Sequence, residues 1–234
     1  MIYVTGDTHG ERERFLNNTM GDEAWTSEDT LIVCGDFGFL FFNNATENAF
    51  LDFLQKEKPY TVCFCDGNHE NFDAIYAYPQ EEWHGGRIHR IRKNVVHLMR
   101  GQVFELEGHS FFTFGGAYSI DKEYRREGFS WWPQELPSPE EYDTAWAALE
   151  KHGFAVDYII THTAPQAVVE KLIAKQPWDI RREITMEFKD YELLEFLGKV
   201  HHTVSFSHWY FGHWHFDTEV DERCTALLKK VCKL

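Results

Sequence analysis

Five apolar runs in this 234-residue chain finish in the same way. IYVTGDTH, LIVCGD, VCFCDGNH, YIITH and SFSHWYFGHWH each pass from strand-forming residues into Asp, Asn or His. Open α/β sheets bind ligands beyond the carboxyl ends of their strands, so these runs are expected to deliver polar side chains to one rim. A single Asp-x-His is ordinarily an Asx turn. Independent turns would not all select metal-capable side chains.

The runs at IYVT, TLIVC, TVCFC and DYIIT alternate with helical patterns around ERERFLNN, NATENAFLDFLQKEK, PQAVVEKLIAK and MEFKDYELLEFLGKV. A further helix is expected from Ser138 to Lys151. Such alternation argues for α/β layers. VVHLM, QVFELEG, SFFTFGG, TVSFSHWYF, HFDTEV and CTALLK form a second set of strands that reads as antiparallel. The fold class is therefore α/β (α+β), with two packed sheets flanked by helices. No repeat, low-complexity tract or linker divides the chain, and residues 1–234 read as one domain.

Hydrophobic residues make up 43% and aromatic residues 16%, enough for a sizeable core. The apolar stretch TLIVCGDFGFLFF is broken by Gly and Asp well short of the roughly 20 residues of a spanning helix. MIYVTGDTHGERER lacks the basic-then-apolar pattern of a secretory leader. A cytoplasmic location with no membrane partner is the expectation, and five cysteines, odd in number and mostly set in apolar runs, suit a reducing compartment. Cys63-x-Cys65 has no second pair at zinc-finger spacing and reads as core packing. With 23 Lys and Arg against 38 Asp and Glu, the net charge of −15 repels long nucleic acids. Between Glu82 and Glu105 the trend reverses: Arg87, Arg90, Arg92, Lys93 and Arg100 stand with no acid among them. They read as a solvated basic face or as an attractor for an anionic substrate.

The strand ends supply Asp7, His9, Asp36, Asn68, His162, His213 and His215, all oxygen or imidazole donors without a thiolate. One divalent ion rarely takes more than about six ligands, so the inventory points to two ions with a shared carboxylate. His213 and His215 stand at i and i+2, on one side of an extended chain. Two ions about 3.5–4 Å apart polarise a phosphoryl oxygen and generate hydroxide at neutral pH, which suits a phosphate ester.

GDTHG at 6–10, GDFG at 35–38, GNHE at 67–70, THTAP at 161–165 and GHWH at 212–215 resemble, in that order, the blocks of the calcineurin-like metallophosphoesterase superfamily. The resemblance implies a four-layer αββα sandwich, two mixed β-sheets flanked by helices. By matching position it implies one metal held by Asp7, His9, Asp36 and His215 and a second held by Asp36, Asn68, His162 and His213. Two divalent ions are implied, manganese or iron by preference, with zinc, cobalt or nickel compatible. The implied reaction is in-line attack of a metal-bridging hydroxide on a small phosphorylated substrate, with His69 protonating the leaving oxygen. Glu70 reads either as a cap for a helix starting near Asn71 or as a catalytic group.

The second block departs from that of the protein Ser/Thr phosphatases, which continues to a further Asp and then Arg-Gly. Here Asp36 is followed by Phe37, Gly38 and Phe39, so an acidic partner for His69 and an arginine for the phosphate are missing at those positions. The 119–139 segment, similar to that of a group of bacterial superfamily members, offers Arg125, Arg126, Trp131 and Trp132 to grip a phosphate and stack an aromatic group. His84, His89, His97, His201, His202 and His208 match no family position and read as surface or core histidines. Two other classes fit less well. A protein-binding scaffold of the same fold has no need of intact ligand blocks, and a nuclease is opposed by the net charge, although a cyclic-nucleotide phosphodiesterase is not.

Overall fold

The computed structural model describes residues 1–183 and 191–234. The chain opens with β1 (Ile2–Thr5), β2 (Thr30–Val33), α1 (Ala45–Glu57), β3 (Thr61–Phe64) and α2 (Phe72–Tyr76). A run of strands follows: β4 (Gln80–Trp83), β5 (Gly86–Arg92), β6 (Val95–Leu98), β7 (Gln102–Leu106) and β8 (His109–Phe114). Then come α3 (Pro139–Lys151), β9 (Tyr158–Thr161), α4 (Gln166–Ala174), α5 (Trp178–Glu183) and α6 (Tyr191–Thr203). Strands β10 (His208–Phe211), β11 (Thr218–Asp221), β12 (Cys224–Ala226) and β13 (Cys232–Lys233) complete the described elements.

These strands form two mixed sheets. One has the order β13-β1-β2-β3-β6-β5-β4 and the other β11-β12-β10-β9-β8-β7. Period-2 alternation sorts each strand between two cores. Leu31, Val33, Val62 and Phe64 pack with Phe50, Leu51 and Leu54 of α1 on the outer face. Their neighbours Ile32, Cys34, Cys63 and Cys65 point the other way, to Phe104, Phe111 and Ile160 of the second sheet. The Cys63-x-Cys65 pair is thus inter-sheet packing. A third cluster joins the outer face of the second sheet to α3, α4 and α6 through Phe112, Trp209, Leu149, Leu172 and Leu197. Helices on one outer face, two sheets and helices on the other give the four layers. Each large side chain fully buried there contributes roughly 1.5–3 kcal/mol relative to exposure. Among the described residues, no helix is long and apolar enough to cross a membrane.

Several sequence expectations are corrected. ERERFLNN is not a regular helix: a four-residue 3-10 turn, Arg12–Phe15, buries Phe15, and Asn17 and Asn18 at φ 52° and 57° stop it. VVHLM does not join the second sheet, because β6 runs parallel beside β3 in the first. DYIIT lies in the second sheet, where β9 is parallel to both β8 and β10. That sheet is therefore mixed, with the antiparallel pairs β7–β8 and β11–β12 towards its two edges. TVSFSHWYF is a strand only over its last four residues, since α6 runs on to Thr203. The first part of MEFKDYELLEFLGKV lies outside the described residues. The expected helix at Ser138 appears as α3, whose N-terminus Ser138 and Glu141 close with a capping box.

The basic stretch holds a hairpin that patterning did not reveal. β4 pairs with β5 across His84 and Gly85, both at positive φ (49° and 88°), the geometry that a two-residue hairpin turn requires. Arg90 pairs with Glu81, Arg92 with Asp52 and Arg100 with Asp66. Most of this charge is committed to holding elements together and does not form a free attractor.

Candidate metal centre

β1, β2 and β3 are mutually parallel, as are β9 and β10, so the loops after Thr5, Val33, Phe64, Thr161 and Phe211 open at matching strand ends. All seven donors expected from the sequence meet there. Asp7, His9, Asp36 and His215 each offer a ligand atom within 4.8 Å of the others. His215 Nε2 lies 3.1 Å from Asp7 Oδ2 and 3.0 Å from His9 Nε2, and His9 Nε2 lies 3.7 Å from Asp36 Oδ2. The other oxygen of Asp36 faces a second set. Asp36 Oδ1 is 3.4 Å from His162 Nε2, and Asn68 Oδ1 is 3.1 Å from that nitrogen and 3.0 Å from His213 Nδ1.

Hydrogen bonds from outside the cluster aim these groups. His162 Nδ1–H donates to the Cys34 carbonyl at 2.8 Å, which points Nε2 towards the cluster. The Asn68 amide N–H donates to Ser119 Oγ at 3.1 Å, so its carbonyl oxygen faces the imidazoles. Buried Arg14 donates to the Asp7 carbonyl and to Thr5 Oγ1, pinning the turn after β1. Neither Ser119 nor Arg14 was found from sequence, because nothing in their local pattern distinguishes them.

The backbone there is special. His9, Asp36, His213 and His215 all have positive φ (45°, 48°, 65° and 55°), a region that L side chains enter at a cost and that concentrates at functional sites. The leading glycine of two blocks is explained by close approach. A Cβ on Gly67 would lie 2.0 Å from Asp36 Oδ1, and one on Gly212 would lie 2.0 Å from Asp7 Oδ1. Only hydrogen fits between backbone and carboxylate at these two positions.

Asp7 and Asp36 are shut away from solvent, with side chains 0% and 1% exposed, whereas His9 and His215 are 29% and 55% exposed. The cluster therefore opens to solvent on the His9 and His215 side. Among the described residues, every ion pair of the two carboxylates is with an imidazole. Burial opposes the charge of Asp36, but His162, His69 and His9 outweigh it and hold the carboxyl well below its usual range. Burial likewise lowers His162, and Asp36 and Asp7 more than reverse this, raising it to about 10. His213, enclosed and beside His162, is pushed down to about 3. Two buried carboxylates, four imidazoles and an amide oxygen are a donor set that fits divalent cations of oxygen and nitrogen preference, and a bound cation would displace the proton of His162.

His69 sits at the edge of the cluster, its ring 5.5 Å from that of His9 and its backbone N–H donating to Asp36 Oδ1 at 2.8 Å. Burial pushes its pKa down; Asp36 opposes this and Arg125 adds to it. An arginine reaches His69 from the loop: Arg125 Nη1 and Nη2 lie 3.1 and 3.3 Å from the two ring nitrogens of His69. Asp121 holds the same guanidinium through Nε at 2.8 Å. Arg126 and Trp131 are turned elsewhere. Arg126 is exposed over the Phe129 ring, and Trp131 lies under the Lys122 ammonium at 5.3 Å. Trp132 is buried and donates to Asp73. Glu70 is not a helix cap: Asn71 caps α2, while Glu70 Oε1 accepts from the Phe37 N–H at 2.7 Å and braces the loop after β2. Of the six histidines set aside, His89 and His97 are buried in a chain ending on Asp66.

Comparison with curated proteins and with solved structures returns no significant match. A family model described as calcineurin-like phosphoesterase matches residues 1–217, all but the C-terminal end of the chain and every block that supplies the cluster. The chain belongs to the calcineurin-like phosphoesterase family.

Proposed function

We propose that this chain is a two-metal phosphoesterase that hydrolyses a mono- or diester of a small phosphorylated substrate. The observation that carries the reading is the division of Asp36, whose Oδ2 faces His9 and whose Oδ1 faces His162. Asp7, His9, Asp36 and His215 would hold one ion, and Asp36, Asn68, His162 and His213 the other. Their donor chemistry suits manganese or iron, with zinc, cobalt and nickel compatible. When bound, two such cations polarise phosphoryl oxygens and bring the pKa of a water towards neutrality.

The chain's own residues supply the rest. His69 stands beside His9 at the solvent-open side, placed to hand a proton to the departing ester oxygen. Arg125, adjoining His69, would offer a phosphate oxygen its positive charge and an Nη2 hydrogen. The Cys34 carbonyl and Ser119 hydroxyl keep His162 and Asn68 in their orientations. Five unpaired cysteines support a reducing, cytoplasmic setting.

The test is hydrolysis of p-nitrophenyl phosphate and bis-p-nitrophenyl phosphate by protein stripped of metal and reloaded with one ion at a time. Turnover that vanishes with chelator and returns with a particular ion supports the reading, and the better substrate separates monoesterase from diesterase. No turnover with any ion, with about two metals bound per chain, argues against it.

A further inference from the structure

The loop between β8 and α3 grips the segment after β3. Arg100, whose guanidinium pairs with Asp66, donates to the Gln134 carbonyl at 2.8 Å, and Ser119 Oγ accepts from the Asn68 amide at 3.1 Å. Arg125 meets His69, and the Trp132 indole N–H donates to Asp73 at 2.8 Å. One side chain inside the loop joins the first two of these contacts. Glu135, 1% exposed, accepts the backbone N–H of the equally buried Ser119 on Oε1 at 3.1 Å, and so ties together residues sixteen apart.

The backbone of Glu135 is held from the other side. Its carbonyl accepts from Arg100 Nη2 at 3.4 Å, beside that of Gln134. The contacts close a ring: Asp66 to Arg100, Arg100 to the Glu135 backbone, the Glu135 carboxyl to Ser119, and Ser119 to Asn68, two residues along from Asp66. A ring of bonds that begins and ends on one short segment fixes the position of residue 119, and through it the direction of the Asn68 amide. The carboxyl makes no other hydrogen bond of normal geometry: Oε2 and the Trp131 Nε1 near it are both buried and unsatisfied. An unpaired buried acceptor is destabilising, so core stability does not account for an acid at this position.

We propose that Glu135 is a positioning residue for the second ion: through Ser119 it holds the Asn68 carbonyl oxygen towards His162 and His213, and so sets the affinity of the ion that these three share with Asp36. The inference rests on the two-metal reading and deepens it, because the loop that carries Arg125 also becomes part of the frame of the metal centre.

The experiment is a calorimetric titration of the metal-free full chain with manganese, which reads the binding of each ion with no ester present; hydrolysis of p-nitrophenyl phosphate is measured alongside. Asn68→Ala identifies the second ion's step by its loss. Glu135→Ala and Ser119→Ala are each expected to weaken that step by roughly 10-fold or more and to leave the first ion's step unchanged. Glu135→Gln keeps an acceptor oxygen for the Ser119 N–H and is expected to bind both ions as the native chain does. The double variant Ser119→Ala, Glu135→Ala is expected to be no weaker than Ser119→Ala alone, because Glu135 acts through the hydroxyl. Losses that add in the double variant, or a Glu135→Ala chain in which both ions weaken alike, reduce Glu135 to a support of the fold and overturn the inference. Unchanged second-ion affinity in Ser119→Ala overturns it as well, and this one-atom change decides the matter even where Glu135→Ala does not fold. Two binding steps that neither substitution alters leave the two-metal reading standing without the inference. The expected pattern in a chain that hydrolyses no ester supports the inference and sinks the hydrolytic reading.

Discussion

Arg125 spans the ring of His69, its two terminal nitrogens 3.1 and 3.3 Å from Nδ1 and Nε2. The second block of this chain lacks the arginine found in the protein Ser/Thr phosphatases, and on the proposed function Arg125 of the 119–139 loop would serve the phosphate instead. Arg125→Met is expected to lower kcat/KM by roughly 10–100-fold, mainly through KM, since it removes the contact proposed for the phosphate. His69→Asn is expected to lower kcat by roughly 100-fold or more. Steady-state kinetics on both variants check the division, and an Arg125→Met enzyme with unchanged KM would remove the arginine from the site.

Gly67 and Gly212 separate backbone from the carboxylates of Asp36 and Asp7, with room for hydrogen alone. Gly212→Ala is expected to push Asp7 out of line and weaken metal affinity by roughly 10–100-fold. Metal content after dialysis against a graded chelator reads this out. Full retention of metal would mean that the turn at Gly212 has more freedom than its geometry indicates.

Asp66 and Arg100 form an ion pair whose side chains are each only 1% exposed, and the guanidinium also donates through Nη2 to the Gln134 and Glu135 carbonyls and through Nη1 to Glu141. Removing one partner strands a buried charge, so Arg100→Met is expected to cost about 3–5 kcal/mol in urea unfolding. The double variant Arg100→Met, Asp66→Leu is expected to recover part of that loss.

The same region sets an acid limit on stability. His97 Nε2 meets Asp66 at 3.1 Å, His89 and His97 share a contact between their Nδ1 atoms at 3.1 Å, and Tyr76, Gln80 and Arg87 line the outer side. Burial, then His97, pushes His89 down to about 4. The folded chain therefore holds this imidazole neutral where the unfolded chain has taken up a proton, and stability falls as pH drops from about 6.5 to about 4. Burial raises Asp66, but Arg100 and His97 outweigh it and bring it to about 2, which adds a second loss between about 4 and 2. Urea midpoints from pH 7 to pH 4 are expected to decline, and less steeply in His89→Gln.

The strand ends were legible because β1, β2, β3, β9 and β10 are short apolar runs that terminate in functional side chains, and all seven donors they supply converge. Sheet membership was not, since β6 and β9 have similar compositions and their partners depend on crossovers distant in sequence. The β4–β5 hairpin escaped notice because its arginines look solvent-facing until Glu81 and Asp52 are placed opposite them. Arg125 was legible as a candidate, whereas Arg126 beside it was not separable, because one residue of register in an irregular loop decides which guanidinium points at His69. Arg14 and Ser119 act through a backbone carbonyl and an amide of distant residues, contacts that no local pattern encodes.

The most direct test is the metal content of Asp36→Asn beside the native chain, read by atomic emission after reloading, together with hydrolysis of p-nitrophenyl phosphate and its bis ester. The account predicts about two ions per native chain, one or fewer in the variant, and hydrolysis reduced by at least roughly 100-fold. Unchanged metal content together with unchanged hydrolysis in Asp36→Asn would contradict a shared carboxylate at the centre of the site.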